Sequence, residues 1–220
     1  MDHNPNAIAL NRFDNGTRHR AVEAPEIEPD IGENLAANVL VVSDAGAVIF
    51  GGPMSANDPE PWIAREIDWI GVPLKEQKPF LGVCLGAQML AKHLGGSVGG
   101  HAESRVEIGY YPIYPVNGGD GISDWPQEVY QWHRESFTLP RGAKLFARGE
   151  HFENQAFRYG EVAYGIQFHP EVTRLAMHRW VVTGSHRFSL PNAQQAPEHL
   201  AGNLIHDVSV KQWLSQFLER

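Results

Sequence analysis

The chain has 220 residues, a formal net charge of −8, 42% hydrophobic residues and 20% charged residues. These values are ordinary for a globular enzyme, and the negative charge argues against a nucleic-acid partner, which needs a concentrated basic surface. No apolar run approaches the ~20 residues that span a bilayer, and the start of the chain has no signal-peptide core. We therefore expect a cytoplasmic protein that does not associate with a membrane.

Residues 1–36 contain no element that their pattern assigns. The run Ala7–Leu10 has the length of a short strand or of one helical turn, and the stretch from Ala24 to Asp30 is acidic and interrupted by prolines. Two apolar runs, 39–42 and 47–50, follow and predict strands. A helix is then expected from about Pro61 until close to Gly71-Val72-Pro73, because its apolar residues recur at helical spacing.

A glycine loop follows the second of these strands. In Gly51-Gly52-Pro53, two adjacent residues lack a Cβ, so backbone N–H groups can approach a ligand closely. An ordinary connection from strand to helix explains the loop equally well when it is considered by itself.

The only cysteine lies between a predicted strand and a predicted helix. The run Phe80–Val83 has the length of a buried strand, and the residues after Cys84 show helical spacing up to a pair of glycines. Gly82 and Gly86 flank the cysteine, which is the thiol counterpart of the nucleophile elbow. A helix N-terminus favours the reactive thiolate. A buried cysteine that only fills space is the alternative, and the flanking glycines favour a nucleophile.

Cysteine and histidine counts limit other chemistry. One cysteine excludes an internal disulfide and suits a reducing compartment. Eleven histidines are many, but they form no Cys/His cluster and no His-x-x-x-His pair on one helix face. The sequence therefore predicts no metal site, and nothing in it indicates a cofactor.

The middle third alternates between apolar and polar residues. This pattern begins at Arg105 and continues to Val116, and three more short strands are predicted at Glu128–Trp132, Lys144–Arg148 and Gln155–Arg158. Alternation of this kind favours antiparallel pairing.

A last apolar strand begins at Val162 and ends at His169, and Glu171 follows two residues later. In extended chain, residues i and i+2 face the same side, so the imidazole and the carboxylate can meet. Pro170 biases His169 away from helix. Most histidines at strand ends are structural, so this pair needs a chemical partner before it indicates a site.

The end of the chain is predicted to be helical. A helix is expected from about Thr173 to Val182, a loop from Ser185 to Pro197 and a final helix from about Glu198 to Leu218. One broad apolar face of the final helix should lie in the core. That face consists of Leu200, Leu204, Val208, Trp213, Leu214 and Phe217.

The glycine loop, the turn at Cys84 and the segment His169–Glu171 each lie at the end of a predicted strand. A strand–helix–strand order implies a parallel sheet, and the carboxyl ends of parallel strands share the edge where sites form. Cysteine, histidine and a carboxylate that orients the imidazole are the triad for acyl transfer through a thioester. The sequence therefore predicts an α/β protein in which Cys84, His169 and Glu171 form a catalytic triad.

Together these motifs resemble those of the class I, or triad-type, glutamine amidotransferases, whose domain supplies the glutaminase of enzymes such as GMP synthase. The segment Gly82–Gln88 is similar to the family motif G-x-C-x-G-x-Q, Phe168–Glu171 to its second signature and Gly51–Ser55 to its oxyanion loop. The chain also resembles the free-standing, GMP-synthase-like members of the family at three more places: Met54–Asp58, Glu107–Tyr110 and Trp132–Phe137.

The resemblance implies a three-layer α/β fold, with a mostly parallel central sheet flanked by helices and a smaller antiparallel sheet, formed as one domain by residues 1–220. It implies that Cys84 attacks the side-chain amide carbon of L-glutamine and that His169 activates the thiol and protonates the departing ammonia. Glu171 would orient the imidazole. Backbone N–H groups of Gly52 and Leu85 would stabilise the oxyanion.

The resemblance also implies contacts to the substrate. Gln88 would help to hold it, and the backbone around His133 and Arg134 would bind the amino-acid end of glutamine. Arg134 stands where the family has a small residue, and for His133 a structural role is an equal alternative. Because the chain ends about fifty residues after Glu171, we expect any ammonia-accepting synthetase on a separate polypeptide.

Residues 1–36 depart from the family pattern, which opens with a clear apolar strand, a loop and a helix. The first strand of the sheet would then be missing, displaced or supplied by residues 39–42. A γ-glutamyl hydrolase or peptidase with the same triad is one alternative to a glutaminase, and a non-catalytic regulatory subunit is another. The intact triad favours an enzyme, whereas the irregular start favours the regulatory role.

Overall fold

The computed structural model describes residues 40–43 and 46–219, and the predictions for residues 1–36 lie outside this part of the chain. The strands of the described residues are β1 (Leu40–Ser43), β2 (Gly46–Ile49), β3 (Phe80–Val83), β4 (Val98–Gly100), β5 (Glu107–Pro112), β6 (Tyr114–Pro115), β7 (Glu128–His133), β8 (Glu135–Phe137), β9 (Ala143–Arg148), β10 (Asn154–Tyr159) and β11 (Ala163–Ile166). The helices are α1 (Pro61–Trp69), α2 (Gly71–Lys75), α3 (Leu85–His93), α4 (Arg174–Thr183) and α5 (Ala196–Leu218), with 3-10 segments at Gly119–Gly121 and Ser185–Ser189.

Seven strands form the central sheet in the order β1-β2-β3-β11-β10-β9-β6. Strands β2, β3 and β11 are parallel neighbours at its centre, and they are the short apolar runs that a doubly covered sheet requires. Their carboxyl ends lie at one edge. The residues that follow Ile49, Val83 and Ile166 are therefore brought to the same edge of the sheet.

Helices cover both faces of this sheet. Phe80 of β3 packs in a hydrophobic cluster with α1 and α3, whereas Val83 packs in a second cluster that includes Trp213 and Phe217 of α5. The alternation of side chains along β3 thus separates two cores. The predicted α/β architecture, with a central sheet between layers of helix, is confirmed.

The middle third is antiparallel, as predicted, but much of it extends the main sheet. Strands β10, β9 and β6 add to β11 in antiparallel order. Two smaller antiparallel sheets, β4–β8 and β5–β7, lie apart from it. The described part of the apolar run predicted at 39–42 lies in β1, which pairs antiparallel with β2 instead of parallel to the sheet centre.

The helices differ from the sequence predictions at two places. The chain forms α2 where we expected a helix to stop, because Pro73 is the third residue of α2, where a backbone N–H has no intrahelical partner. Helix α5 begins two residues early, at a capping box between Gln195 and Glu198. None of the helices within residues 46–219 combines the length and the hydropathy needed to cross a membrane.

The predicted core face of α5 is wrong at Leu204 and Val208, whereas Leu200 packs against a core cluster as predicted. Leu204 and Val208 are 70% and 67% exposed, whereas Trp213 is fully buried as predicted. The helix packs instead through Gly202 and Asn203, since a methyl group at Gly202 would overlap the ring of Tyr110 and Asn203 Nδ2 donates to Tyr110 Oη at 3.3 Å. A glycine and an amide carry no hydrophobic signal, so periodicity selected the wrong face.

His199 of α5 is fully buried. Its Nε2 lies 3.2 Å from the carbonyl oxygen of Gln194, and its Nδ1 lies 3.0 Å from the hydroxyl of Tyr130. Because a carbonyl only accepts, Nε2 carries the hydrogen and Nδ1 accepts from the tyrosine. Burial lowers the pKa of His199 from 6.5, and this outweighs the raising effects of the Gln194 carbonyl and the Glu198 carboxylate.

We predict that mild acid destabilises the protein through His199. Since its folded pKa is lowered, its contribution to stability is complete above about pH 6.5 and is lost as the pH falls below that value. His199→Gln retains a donor and an acceptor but cannot ionise. Its free energy of unfolding, measured by urea denaturation, should fall less steeply between about pH 6.5 and 5, by up to about 1.4 kcal/mol per pH unit.

The matched control is His178→Gln, because His178 is exposed on α4. It should retain the pH dependence of the unsubstituted protein. If His199→Gln also retained it, burial of a neutral His199 would not be the cause of the acid sensitivity.

Candidate active site

Cys84 occupies a sharp turn between β3 and α3. Its backbone has φ 51° and ψ −106°, a left-handed conformation that L-residues seldom adopt. A methyl group on Gly82 would overlap the backbone of Gly86, and one on Gly86 would overlap the carbonyl of Ile49. The two glycines therefore let α3 begin directly against the sheet, and the thiol lies at the wall of a cavity of about 330 Å³.

The imidazole of His169 lies between Glu171 and Cys84. Its Nδ1 is 2.8 Å from Glu171 Oε1, and the ring lines the same cavity as Cys84, which helps to raise the pKa of the imidazole. A Cβ on Gly51 would lie 2.8 Å from His169 Cε1 and 3.3 Å from Cys84 Cβ, so a glycine is needed where the three segments meet. The imidazole packs nearly perpendicular to the indole ring of Trp180 of α4, with ring centroids 5.0 Å apart.

Burial and the neighbouring groups act in opposite directions on the pKa of His169. Burial by itself lowers the pKa of the imidazole, but the carboxylate of Glu171 and the thiol of Cys84 outweigh burial and raise the pKa from 6.5 to about 10. His169 is therefore protonated at neutral pH in this arrangement. An imidazolium beside a thiol is an arrangement that activates sulfur nucleophiles.

The glycine loop after β2 is held in place by its own polar residues and by α3. The Ser55 backbone N–H donates to Asp58 Oδ2 at 2.7 Å, and the Asp58 N–H donates to the Ser55 carbonyl at 3.1 Å. Lys92 of α3 donates to the carbonyl of Ala56 at 2.7 Å and to Asn57 Oδ1 at 2.9 Å. The Met-Ser-Ala-Asn-Asp segment thus attaches the loop to the helix that carries the cysteine.

Gly52 and Leu85, the predicted oxyanion residues, both line the cavity. Leu85 is the first residue of α3, where the backbone N–H has no partner within its own helix. The structure thus brings both residues to the cavity that Cys84 and His169 share.

The predicted substrate contacts lie on the same cavity, but two of them are engaged by protein groups. Gln88 Nε2 donates to the Glu135 carbonyl at 2.8 Å and to Gln167 Oε1 at 3.3 Å. His133 Nδ1 donates to the same carbonyl at 3.0 Å, and its Nε2 lies 3.0 Å from Glu107 Oε2 without the alignment of a hydrogen bond. These contacts favour a structural role for His133, whereas the Arg134 side chain is exposed.

Gln167 is a site residue that the sequence analysis missed. Its side chain is fully buried, and its Nε2 donates to Cys84 Sγ at 3.5 Å while its Oε1 accepts from Gln88. The signal was present, because residues 167, 169 and 171 share one side of an extended segment. Among the described residues, no group of three or more His, Cys, Asp or Glu side chains lies close enough together to hold a metal ion.

A thiol on a strand-to-helix turn, beside a histidine–glutamate pair, is typical of α/β enzymes that form thioesters. The family described as "Glutamine amidotransferase class-I" matches residues 16–181. This chain belongs to the class I glutamine amidotransferases.

Curated relatives include the glutamine-hydrolysing GMP synthase subunits of two archaea. The chain is 38% identical over 98 residues to the one from Thermococcus kodakarensis, an alignment that covers 43% of this chain and 51% of the relative. It is 31% identical over 132 residues to the one from Methanococcus aeolicus, covering 58% of this chain and 65% of the relative. The chain thus spans between half and two thirds of the length of these two relatives.

Solved structures support the same family. A glutamine amidotransferase from Thermotoga maritima is 35% identical with a TM-score of 0.69, over 79% of this chain and 76% of that one. A glutamine amidotransferase from Methylobacillus flagellatus is 29% identical with a TM-score of 0.69, over 77% of this chain and 72% of that one. The predicted family and fold are therefore confirmed.

We predict that Gln167→Met makes the thiol of Cys84 less reactive at neutral pH. The amide donates to the sulfur, and a donor stabilises a thiolate more than a thiol. Alkylation by iodoacetamide, followed by mass spectrometry, reports on one site because the chain has one cysteine. The midpoint of the rate against pH should rise by about one unit.

Gln155→Met is the matched control, since Gln155 is equally buried but donates to Glu107 and not to the sulfur. It should leave the midpoint unchanged. Equal shifts in the two variants would assign the effect to general loosening of the core and not to the contact with sulfur.

Proposed function

We propose that this protein hydrolyses the side-chain amide of L-glutamine through a cysteinyl thioester, with Cys84, His169 and Glu171 as the catalytic residues. The observation that carries the proposal is the hydrogen bond between Glu171 and His169, whose imidazole lines one cavity together with the thiol of Cys84. Family membership makes glutamine the amide that best fits the proposal.

In the first half of the reaction, the thiolate of Cys84 attacks the amide carbon and the carbonyl oxygen becomes an oxyanion. Backbone N–H groups of Gly52 and Leu85 stabilise this charge, an effect worth about 3–4 kcal/mol for one donor in comparable sites. The intermediate collapses when the C–N bond breaks. The protonated His169 supplies the proton that lets the nitrogen leave as ammonia.

In the second half, the neutral His169 accepts a proton from water, and the resulting hydroxide attacks the thioester. Collapse of the second tetrahedral intermediate releases glutamate and returns the thiolate beside an imidazolium. Throughout the cycle, Glu171 binds Nδ1 and so directs Nε2 towards the reacting atoms. The loop that carries Gly52 stays in place because Lys92 and Asp58 hold it.

The ammonia has a proposed destination on another polypeptide. The two archaeal relatives are named as subunits of a glutamine-hydrolysing GMP synthase, which supports a partner protein that accepts the nitrogen released by this chain. Gln88 contributes by holding Gln167 and the Glu135 carbonyl in the cavity wall, and the backbone around Arg134 provides contacts for the amino-acid end of the substrate.

We predict that a diazo-ketone analogue of glutamine adds covalently to Cys84. The analogue presents its ketone carbon where the amide carbon of glutamine would lie and its diazomethyl carbon where the amide nitrogen would lie. A proton from the imidazolium of His169 converts the diazomethyl group to a diazonium, and the thiolate then displaces dinitrogen from that carbon to form a thioether. Intact-mass and peptide mass spectrometry measure the adduct, and ammonia release from L-glutamine is measured on the same preparation.

Cys84→Ser is the control, and it should form no adduct and release no ammonia. Absence of an adduct in folded, unsubstituted protein would contradict the proposed function. An adduct without turnover of glutamine would support the thiol chemistry and would indicate that release of ammonia requires the partner protein.

A further inference from the structure

Two arginines lie at the mouth of the cavity that contains Cys84. Arg134 follows β7, and Arg187 lies in the 3-10 segment Ser185–Ser189 after α4; both line the same cavity as Cys84 and His169. Arg187 is beyond residues 16–181, the part of the chain that matches the family. The triad mechanism uses the side chain of neither arginine.

The two arginines line one cavity, and the positive charge of Arg134 acts on the guanidinium of Arg187. Arg187 is half-buried, and both burial and the charge of Arg134 lower its pKa. No described carboxylate forms an ion pair with either arginine, including Glu135, the one acidic residue described in the cavity wall. Positive charge that is partly removed from water without a counter-charge is unfavourable. An anion between the two groups would relieve this.

Packing keeps Arg187 at the mouth. Its backbone N–H donates to the Gly184 carbonyl at 2.9 Å, and its own carbonyl accepts from the Leu190 N–H at 3.0 Å. Gly184 lies against Trp132 so closely that a methyl group there would overlap the indole ring. The arginine therefore projects from a turn with a defined position on the cavity wall.

We propose that Arg134 and Arg187 bind a carboxylate of the amide substrate at the mouth of the cavity. Guanidinium groups match carboxylates in geometry and form charge-assisted hydrogen bonds with them. The identity of the ligand as a substrate rests on the proposed function, whereas the binding of an anion does not. The carboxylate has two sources, the α-carboxylate of glutamine itself and a carboxylate on the amine portion of a γ-glutamyl amide.

The first experiment compares the alkylation of Cys84 by iodoacetate, which is anionic, and by iodoacetamide, which is neutral. Replacing both arginines, as Arg134→Gln with Arg187→Gln, should lower the ratio of the two rates by about tenfold. The matched control is Arg174→Gln, an exposed arginine on α4 that does not line the cavity. An unchanged ratio in the double variant would overturn the anion site, whether or not the protein turns over glutamine.

The second experiment identifies the source of the carboxylate by measuring kcat/KM. L-glutamine is compared with its α-amide, and γ-glutamylglycine is compared with γ-glutamylmethylamide. The two compounds of each pair differ by one carboxylate, and the unsubstituted protein should have the higher kcat/KM for the compound that carries it. If the double variant loses this preference in one pair, the arginines bind the carboxylate by which that pair differs. Retention of both preferences in an active double variant would contradict a substrate carboxylate as the ligand.

A second and independent observation concerns Lys211 of α5, which contacts the His-x-Glu segment from far along the chain. Its Nζ donates to the carbonyl of Pro170 at 2.7 Å and to the carbonyl of Val172 at 2.9 Å, the two residues that flank Glu171. The ammonium is partly buried, which lowers its pKa, and the charges of Asp207 and Glu171 act against that effect. Lys211 is therefore anchored on the chain that carries the carboxylate.

The orientation of the Glu171 carboxylate depends on the position of the Glu171 backbone. Oε1 is bound to His169, but Oε2 is buried and has no hydrogen-bond partner among the described residues. Helix α5 is itself fixed by Trp213 and Phe217 in the core, so it provides a rigid base for the lysine.

We infer that Lys211 is a positioning residue, which holds the two peptide groups around Glu171 so that the carboxylate stays aligned with His169. Without the lysine, the imidazolium loses part of its partner and stabilises the neighbouring thiolate less. The lysine acts through Glu171 and does not touch the reacting atoms.

The test is the pH profile of Cys84 alkylation by iodoacetamide, which requires no turnover. Lys211→Met should move the midpoint upward by about one unit. Lys211→Gln can donate to one of the two carbonyls, so its midpoint should lie between those of Lys211→Met and the unsubstituted protein. Gln212→Met, an exposed neighbour on the same helix, is the matched control. If folded Lys211→Gln and Lys211→Met gave the profile of this control, the positioning role would be wrong.

Discussion

Direct contact between α3 and the centre of the sheet is the constraint on which the site depends. Gly82 and Gly86 remove the two side chains that would keep the helix from the parallel strands, since a Cβ at either position would overlap backbone atoms. With the helix so close, the connecting residue must reverse direction within one position. Cys84 therefore takes a left-handed backbone conformation, and its thiol is directed to the edge where three strands end.

A series of buried polar side chains extends from the thiol into the antiparallel strands. Gln167 joins the sulfur to Gln88, Gln88 and His133 share the Glu135 carbonyl, and His133 faces Glu107 across the β5–β7 pair. Polar groups buried in this way restrict the core to arrangements in which their partners are present. The antiparallel part of the fold thus defines the wall of the cavity, while the parallel strands supply the reactive groups.

Support for the reactive groups comes from distant parts of the chain. Lys92 holds the glycine loop on the helix that carries the nucleophile, and Lys211 holds the turn that carries Glu171. Both lysines bind backbone carbonyls, so they constrain main chain and leave the side chains of the site available for chemistry. Such contacts explain why a cavity wall built from loops can retain a defined geometry.

The sequence by itself determined the local elements that carry the chemistry. Strand β3 has the predicted bounds, and the turn at Cys84 follows from the spacing of Gly82 and Gly86, because turn geometry depends on neighbouring residues. Only the tertiary structure decided which face of α5 is buried, that Gln167 touches the sulfur and that Lys211 reaches the carbonyls around Glu171. These outcomes depend on contacts between residues far apart in the chain, where a glycine, an amide or a lysine leaves no periodic signal. Packing in three dimensions, which sequence spacing does not encode, therefore chose the partners of the reactive groups.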